Sequence, residues 1–373
     1  MKIWRHFDFW LLGAVALLIL FGLAMIRSAV LTSPDAGARE LSRQLLFALT
    51  GLLILAVVSA IDYRFWGRVS GWLYAALLFL LALVAVLGDA VFGANRWIPL
   101  FGGLYNLQPS EIGKFIMVLS LGHYLVTHPD QMHRLPFIVR TGIYVGVPVL
   151  FIAAQPDFST CILYGVLWLA LLWPAGLRLG HLLLLGAGAA LVGVAGFFVA
   201  LQSDEARYIA QRVVFFFLTS PESQEFRDAT YNITQALISI GSGGWSGQGY
   251  GVGSQVQSRF LKVRHTDYIF ATIAHELGFV GAVLIVLMFV FVIVRIFQAG
   301  GRARDRYGQL ICFGVGTVIL FEAFSNIASN MNMLPVTGSP LPFVSYGGSS
   351  LWTFLFAIGL VESVILRHKQ IEF

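Results

Sequence analysis

The chain has 373 residues, 58% hydrophobic and 12% charged, with a formal net charge of +5 and a mean hydropathy of +0.80. An ordinary soluble domain carries about 25% charged residues, so a water-soluble globule is excluded for want of polar surface to cover it. The positive balance does not mark a nucleic-acid binder. The arginines lie in loops between apolar runs, where cytoplasmic positive charge accounts for them.

Apolar runs of about 20 residues, the length of helix that crosses a bilayer core, recur along the chain. They predict ten helices, at roughly 8–29, 43–61, 70–88, 108–126, 138–154, 159–174, 179–201, 268–296, 308–331 and 343–366. Lipid offers no partner to an open backbone group, so the expected fold is all-α and polytopic, one integral membrane domain over 1–373. The first run is too long for the apolar core of a cleaved signal and reads as an uncleaved helix. Cys161 and Cys312 both fall inside spans and read as small buried hydrophobes, with no disulfide and no metal site.

Charge sets the expected orientation. With the N-terminus inside, the cytoplasmic connections collect Arg64, Arg68, Arg134, Arg140, Arg302, Arg304, Arg306 and Arg367, while the outer ends hold Arg27, Arg39, Arg43, Arg96 and Lys114. Both termini are then cytoplasmic. One long extracytoplasmic loop, 202–267, separates the seventh and eighth spans. It has amphipathic pieces near Arg207 to Leu218 and Tyr231 to Ile240, then the glycine-rich run GSGGWSGQGYGVGS (241–254). Such glycines let a backbone approach a ligand closely, and equally serve any mobile loop.

Ionisable residues at membrane depth cost about 2.5–3.5 kcal/mol each on insertion scales and are functional candidates. Glu111 and Lys114 share a helix face at i, i+3; they read as a self-neutralising ion pair or as a lysine offered to a phosphate. Arg96 and Trp97 stand just outside the third span, as interfacial anchors or as ligands. Gln155 and Asp157 join two short spans, and Asp157 suits the cap of the sixth helix. Glu322 in the ninth span has no basic partner nearby in sequence, and Glu362 lies close to Arg367.

The densest cluster is VRHTDYIFATIAHELG (263–278), where the long loop meets the eighth span. His275-Glu276 fails as a zinc-protease motif because Phe279 stands where the second histidine belongs. Asp267 and Glu276, nine residues apart, would be separated by about 13.5 Å of helical rise. That exceeds the roughly 5–9.5 Å a glycosidase carboxylate pair spans, so Asp267 acts alone or with groups from elsewhere.

GANRWI (93–98), LQPSEIGK (107–114), AQPDFST (154–160), QRV (211–213), SIGSGGWSGQG (239–249), RHTDYIFATIAHELG (264–278) and LPVTGSPLPFVSYGGSS (334–350) follow one another in an order that resembles the SEDS membrane proteins of bacteria: shape, elongation, division and sporulation. The last motif and the short N-terminal tail resemble the elongation members more than the division members. The resemblance implies a peptidoglycan glycosyltransferase that polymerises lipid II at the outer face of the cytoplasmic membrane. It also implies a class B penicillin-binding protein as partner, with membrane lipid and other elongation-complex proteins around it. The family's essential aspartate matches Asp267. Many members carry glutamate where this chain has His275, which leaves that position without an implied role. The implied substrate contacts are Arg96, Trp97, Glu111, Lys114, Gln155, Asp157, Arg212, Gln235, His265, Thr266 and Ser345. All but Gln235, which lies in the second amphipathic piece, fall within the matched motifs.

The chemistry asks for few groups. A diphosphate leaves as an anion without protonation, so one base suffices for the acceptor hydroxyl, and Asp267 can supply it. Positive charge on the departing diphosphate would come from Lys114, Arg96 and Arg212, or be shared with a divalent cation such as Mg or Mn. Two rivals remain open: a flippase for the lipid-linked precursor, and a non-catalytic scaffold for the transpeptidase.

Overall fold

The computed structural model describes residues 7–31, 34–87, 89–91, 94–100, 105–132, 134–155, 157–177, 180–181, 183–186, 188, 224–258, 260–261, 263–335 and 338–368. Most of the expected seventh span, 179–201, and the amphipathic piece at 207–218 lie outside the described residues.

The helices are α1 (Phe9–Val30), α2 (Pro34–Ala60), α3 (Tyr63–Leu87), α4 (Pro109–Thr127), α5 (Leu135–Ala153), α6 (Phe158–Ala175), α7 (Gln224–Gly243), the short α8 (Ser254–Gln257), α9 (Ile269–Gly301), α10 (Arg306–Asn330) and α11 (Gly348–Leu366). Among the described residues, α1, α2, α3, α5, α6, α9, α10 and α11 are eight helices long and apolar enough to cross a membrane. The protein is therefore a multi-pass, mostly helical membrane protein. Local signals start several helices where expected. Asp8 accepts from Trp10 N and Leu11 N at the head of α1, and Pro109 occupies the first turn of α4, where no amide hydrogen is needed.

The interior is built by α4, α10 and α11. Most of α4 is buried, packed against α3, α6, α10 and α11. The outer helices turn large apolar side chains outward, among them Leu20, Leu53, Trp72, Phe79 and Leu150. In water such a surface would drive association; in hydrocarbon it is the correct solvent face.

Two elements depart from expectation. The fold is not purely helical. Between α3 and α4 lies a three-stranded antiparallel sheet, β1 (Asp89–Val91), β2 (Ala94–Leu100) and β3 (Tyr105–Leu107), with Asp89 opposite Trp97 and Ile98 opposite Leu107. This connection is not one of the apolar runs. The rule that forbids open sheet edges in hydrocarbon therefore does not apply to it.

The second departure is in α9, which breaks at Gly278 (φ 66°, ψ −163°), a backbone region open only to glycine. The break frees polar backbone groups, and the glycine-rich run fills them. Gln248 N donates to His275 O and Gly249 N to Glu276 O, while Phe279 N donates to Gly244 O and Val280 N to Trp245 O. At Gly247 (φ 79°) an added Cβ would stand 2.1 Å from Glu276 O, so only glycine allows this approach. The run read as a mobile loop or a ligand cradle is therefore docked against α9. Its ligand is the chain's own backbone.

Candidate functional site

Asp267 lies in the turn that leads into α9 and is half-buried. The turn is tight: Val263 takes φ 53°, and Thr266 N and Tyr268 N both return to Val263 O, at 3.2 and 3.4 Å. Three successive carbonyls then meet donors from elsewhere. Tyr346 N donates to His265 O at 2.9 Å, Ser345 Oγ to Thr266 O at 2.7 Å, and the side-chain amides of Asn326 and Asn330 to Asp267 O, each at 2.9 Å. The backbone carbonyls are fully engaged. The carboxylate accepts no hydrogen bond from the described residues, and burial alone pushes its pKa from 3.8 up to about 6.

Around this turn stand groups from distant elements. His265 Nε2 lies 3.9 Å from Glu40 on α2, and burial pushes the imidazole below its usual pKa while Glu40 pulls it up. Tyr346 stacks edge-on to His265 at 5.6 Å. Gln44 bridges the lead-in to α11, accepting from Gly347 N at 3.1 Å and donating to Ser345 O at 3.4 Å. Ser345 also accepts from Leu341 N at 2.9 Å, so its hydroxyl is occupied in latching one segment to the other. Gly338 (φ 65°) faces the acid: an added Cβ would lie 3.9 Å from Asp267 Oδ2.

The other candidate residues gather elsewhere. Lys114 is fully buried and binds Glu111 at 2.8 Å and Glu322, forming an ion triad between α4 and α10. Glu322 thus has a basic partner after all, 208 residues away in sequence. Asp157 caps α6 through Thr160 N at 3.4 Å and accepts from Gln108 Nε2 at 3.2 Å. Gln155 is buried, its amide 3.4 Å from Leu81 O. Trp97 sits half-buried in β2, and Gln235 half-buried in α7. The side chain of Arg96 and the whole of Arg212 lie outside the described residues. Among the described residues no three of His, Cys, Asp and Glu stand close enough to hold a metal ion.

His275 and Glu276 are absorbed in packing. His275 Nδ1 lies 3.0 Å from Ser239 O, and its Nε2 accepts from Gln255 N at 3.2 Å. Glu276 accepts from Ser28 Oγ of α1 at 2.6 Å. Glu362 accepts from Asp8 N at 3.1 Å, while Arg367 turns to Ser59 O, Ala60 O and Ser363.

Sequence reading missed Asn326, Asn330, Gln44 and the Glu322–Lys114 contact. One signal was present: Glu322, Asn326 and Asn330 recur every fourth residue on a largely apolar helix, which puts them on one face.

The described residues define a polytopic, mostly helical membrane protein, with the Asp267 carboxylate half-buried at the head of α9. The family model described as cell cycle protein, FtsW/RodA/SpoVE, matches residues 9–370. The chain belongs to that family. It is 38% identical over 380 residues to a probable peptidoglycan glycosyltransferase FtsW of Thioalkalivibrio sp., covering 98% of this chain and 90% of that one. It is 34% identical over 371 residues to the peptidoglycan glycosyltransferase MrdB of Escherichia coli K12, covering 97% and 95%. Among solved structures, a chain of a peptidoglycan synthase complex that coordinates polymerization and crosslinking superposes with a TM-score of 0.82 at 26% identity, covering 98% and 99%. The rod shape determining protein RodA of Thermus thermophilus superposes with a TM-score of 0.71 at 27% identity, covering 98% of both chains.

Proposed function

We propose that this protein is a peptidoglycan glycosyltransferase that polymerises lipid II at the outer face of the bacterial cytoplasmic membrane during elongation, with Asp267 as general base. The observation that carries this is the Asp267 carboxylate: half-buried, accepting nothing from the described residues, and poised near pH 6. A base with a pKa close to working pH combines the right protonation state with useful proton affinity.

In the transfer step Asp267 takes the proton of the acceptor sugar's 4-hydroxyl, and the freed oxygen pair forms a bond to the anomeric carbon of the donor. The bond from that carbon to the diphosphate oxygen breaks on the opposite face, and its electron pair leaves with the undecaprenyl diphosphate. Attack opposite an α-linked leaving group yields a β-linkage. Arg96 and Arg212 are the cations proposed for the departing diphosphate. Lys114 is already matched by two carboxylates. With ten spans, both termini cytoplasmic and the loop 202–267 outside, the Asp267 turn meets the outer leaflet. There prenyl chains stay in lipid while sugars stay in water. The partner is a class B penicillin-binding protein, a reading supported by similarity to a chain of a synthase complex.

The test supplies the purified protein and its partner with labelled lipid II in detergent. Wild type should form polymer without a bilayer, with an acid limb near pH 6 because Asp267 must be ionised to act. Asp267→Ala should lose about 10²–10⁴-fold in rate without melting lower than wild type. Polymer at the wild-type rate from Asp267→Ala refutes the base. Lipid translocation in vesicles without polymer in detergent would favour the flippase.

A further inference from the structure

A carboxylate with no hydrogen bond from the described residues is aimed through its backbone, and α10 reaches the backbone of Asp267 twice. Asn326 Nδ2 and Asn330 Nδ2 both donate to Asp267 O at 2.9 Å, occupying both lone pairs of one carbonyl. Each asparagine also holds a second element in register with the first. Asn326 Nδ2 donates to Ser339 O at 2.8 Å, next to Gly338, which borders the carboxylate. Asn330 Oδ1 accepts from Ala271 N at 3.1 Å. This satisfies one of the first free amides of α9, whose N-cap residue, Tyr268, supplies no side-chain cap.

We propose that Asn326 and Asn330 are positioning residues of the glycosyl transfer, fixing the direction of the Asp267 carboxylate through its own carbonyl. The inference rests on the reading of Asp267 as base. Both amides are buried within a helix that crosses the membrane, where a polar side chain is costly unless it is used. Anchoring α9 alone would need only Asn330, whereas two donors on one carbonyl also stop the turn from rotating. Asn326 Oδ1 is itself buried with no partner among the described residues, so this amide keeps its site for its N–H groups. One turn deeper on the same face, Glu322 holds Lys114, which pins α10 against α4 and gives both asparagines a fixed base.

Misplacing a reacting group by about 1 Å costs on the order of 10²-fold in rate. Asn326→Asp keeps the shape but turns an acceptor toward two carbonyls. In the detergent polymerisation assay it should lower kcat about 10–100-fold with KM within about twofold. The acid limb of the rate profile is read in the uncharged variants Asn326→Ser and Asn330→Ser, where it should fall below that of wild type as the displaced carboxyl regains water. In Asn326→Asp the new carboxyl, facing the Asp267 turn, pushes it the other way. The other titratable groups flanking the turn are Arg264, His265 and Tyr268 within it, Glu40 on α2, Tyr346 before α11 and Glu322 below, and the serine changes alter none of them. Asn326→Ser and Asn330→Ser, which retain a short donor, should lose less, about 3–10-fold; they carry the test if Asn326→Asp does not fold. Variants that melt lower yet keep wild-type kcat and acid limb per folded molecule would show a structural role only and overturn the proposal. Asp267→Ala run alongside separates the two failures. If it is inactive while the asparagine variants are normal, positioning alone fails; if it is active, the base assignment fails and positioning falls with it.

Discussion

Two acidic regions border the same face of α10 and are managed in opposite ways. In the Glu111–Lys114–Glu322 triad the charges are fully buried and answer one another across α4 and α10. One turn along α10, the donors around the Asp267 turn go to backbone carbonyls and leave the carboxylate without a partner among the described residues. Both regions carry a desolvation cost. In the triad it is offset by attraction between the ions, so the charges lock helices together. At Asp267 it is left standing, so the acid holds its proton more tightly than an exposed aspartate does.

The largest way to break this comparison is Lys114→Met. Two carboxylates would lose their cation, and removing one partner of a buried pair costs about 3–5 kcal/mol. The melting temperature in detergent should fall sharply, and Glu111→Gln with Glu322→Gln added should recover most of it. An unchanged melting temperature with weakened binding of a diphosphate-linked lipid would instead make the lysine a substrate ligand.

Asp267→Asn sharpens the other side. The folded-state pKa is raised, from 3.8 to about 6. Above pH 6 both folded and unfolded chains are ionised, and the folded one bears the desolvation cost. As pH falls through 6 the folded acid takes its proton first, and by about pH 4 the cost is gone. Asp267→Asn should therefore be more stable than wild type at pH 8, by about 1–2 kcal/mol once partial exposure is discounted. The difference should vanish near pH 4, as followed by thermal melts across that range. A wild type more stable than Asp267→Asn at pH 8 would mean instead that the carboxylate is stabilised by a cation.

Ser345→Ala is the smallest test. It removes the hydroxyl that joins Thr266 O to Leu341 N and should cost about 1 kcal/mol, with a rate loss of a few-fold at constant KM. A large rise in KM would return Ser345 to the role of substrate contact.

Much of this molecule is legible in the chain alone. Helix length, composition and apolar runs define a polytopic membrane protein because a bilayer imposes its thickness and its intolerance of open backbone on any chain that crosses it. The position of Asp267 at the mouth of α9 is visible as a charge cluster at the edge of an apolar run, and Asp157 as a helix cap is a local property. The strands at 89–107 are hidden, because short runs broken by glycine and proline carry no strong period. The break in α9 is hidden too, since its freed backbone groups are met by residues of the glycine-rich run, well upstream of the helix.

By itself the sequence determined the solvent, the helices and the acid, since each depends on neighbours within a few residues or on the sum of all of them. Only the tertiary structure decided which charges are cancelled. Lys114 meets Glu322 and Asp267 meets Asn326 across 208 and 59 residues of chain. Coulomb attraction and desolvation depend on distance in space and on what excludes water there, and chain position encodes neither.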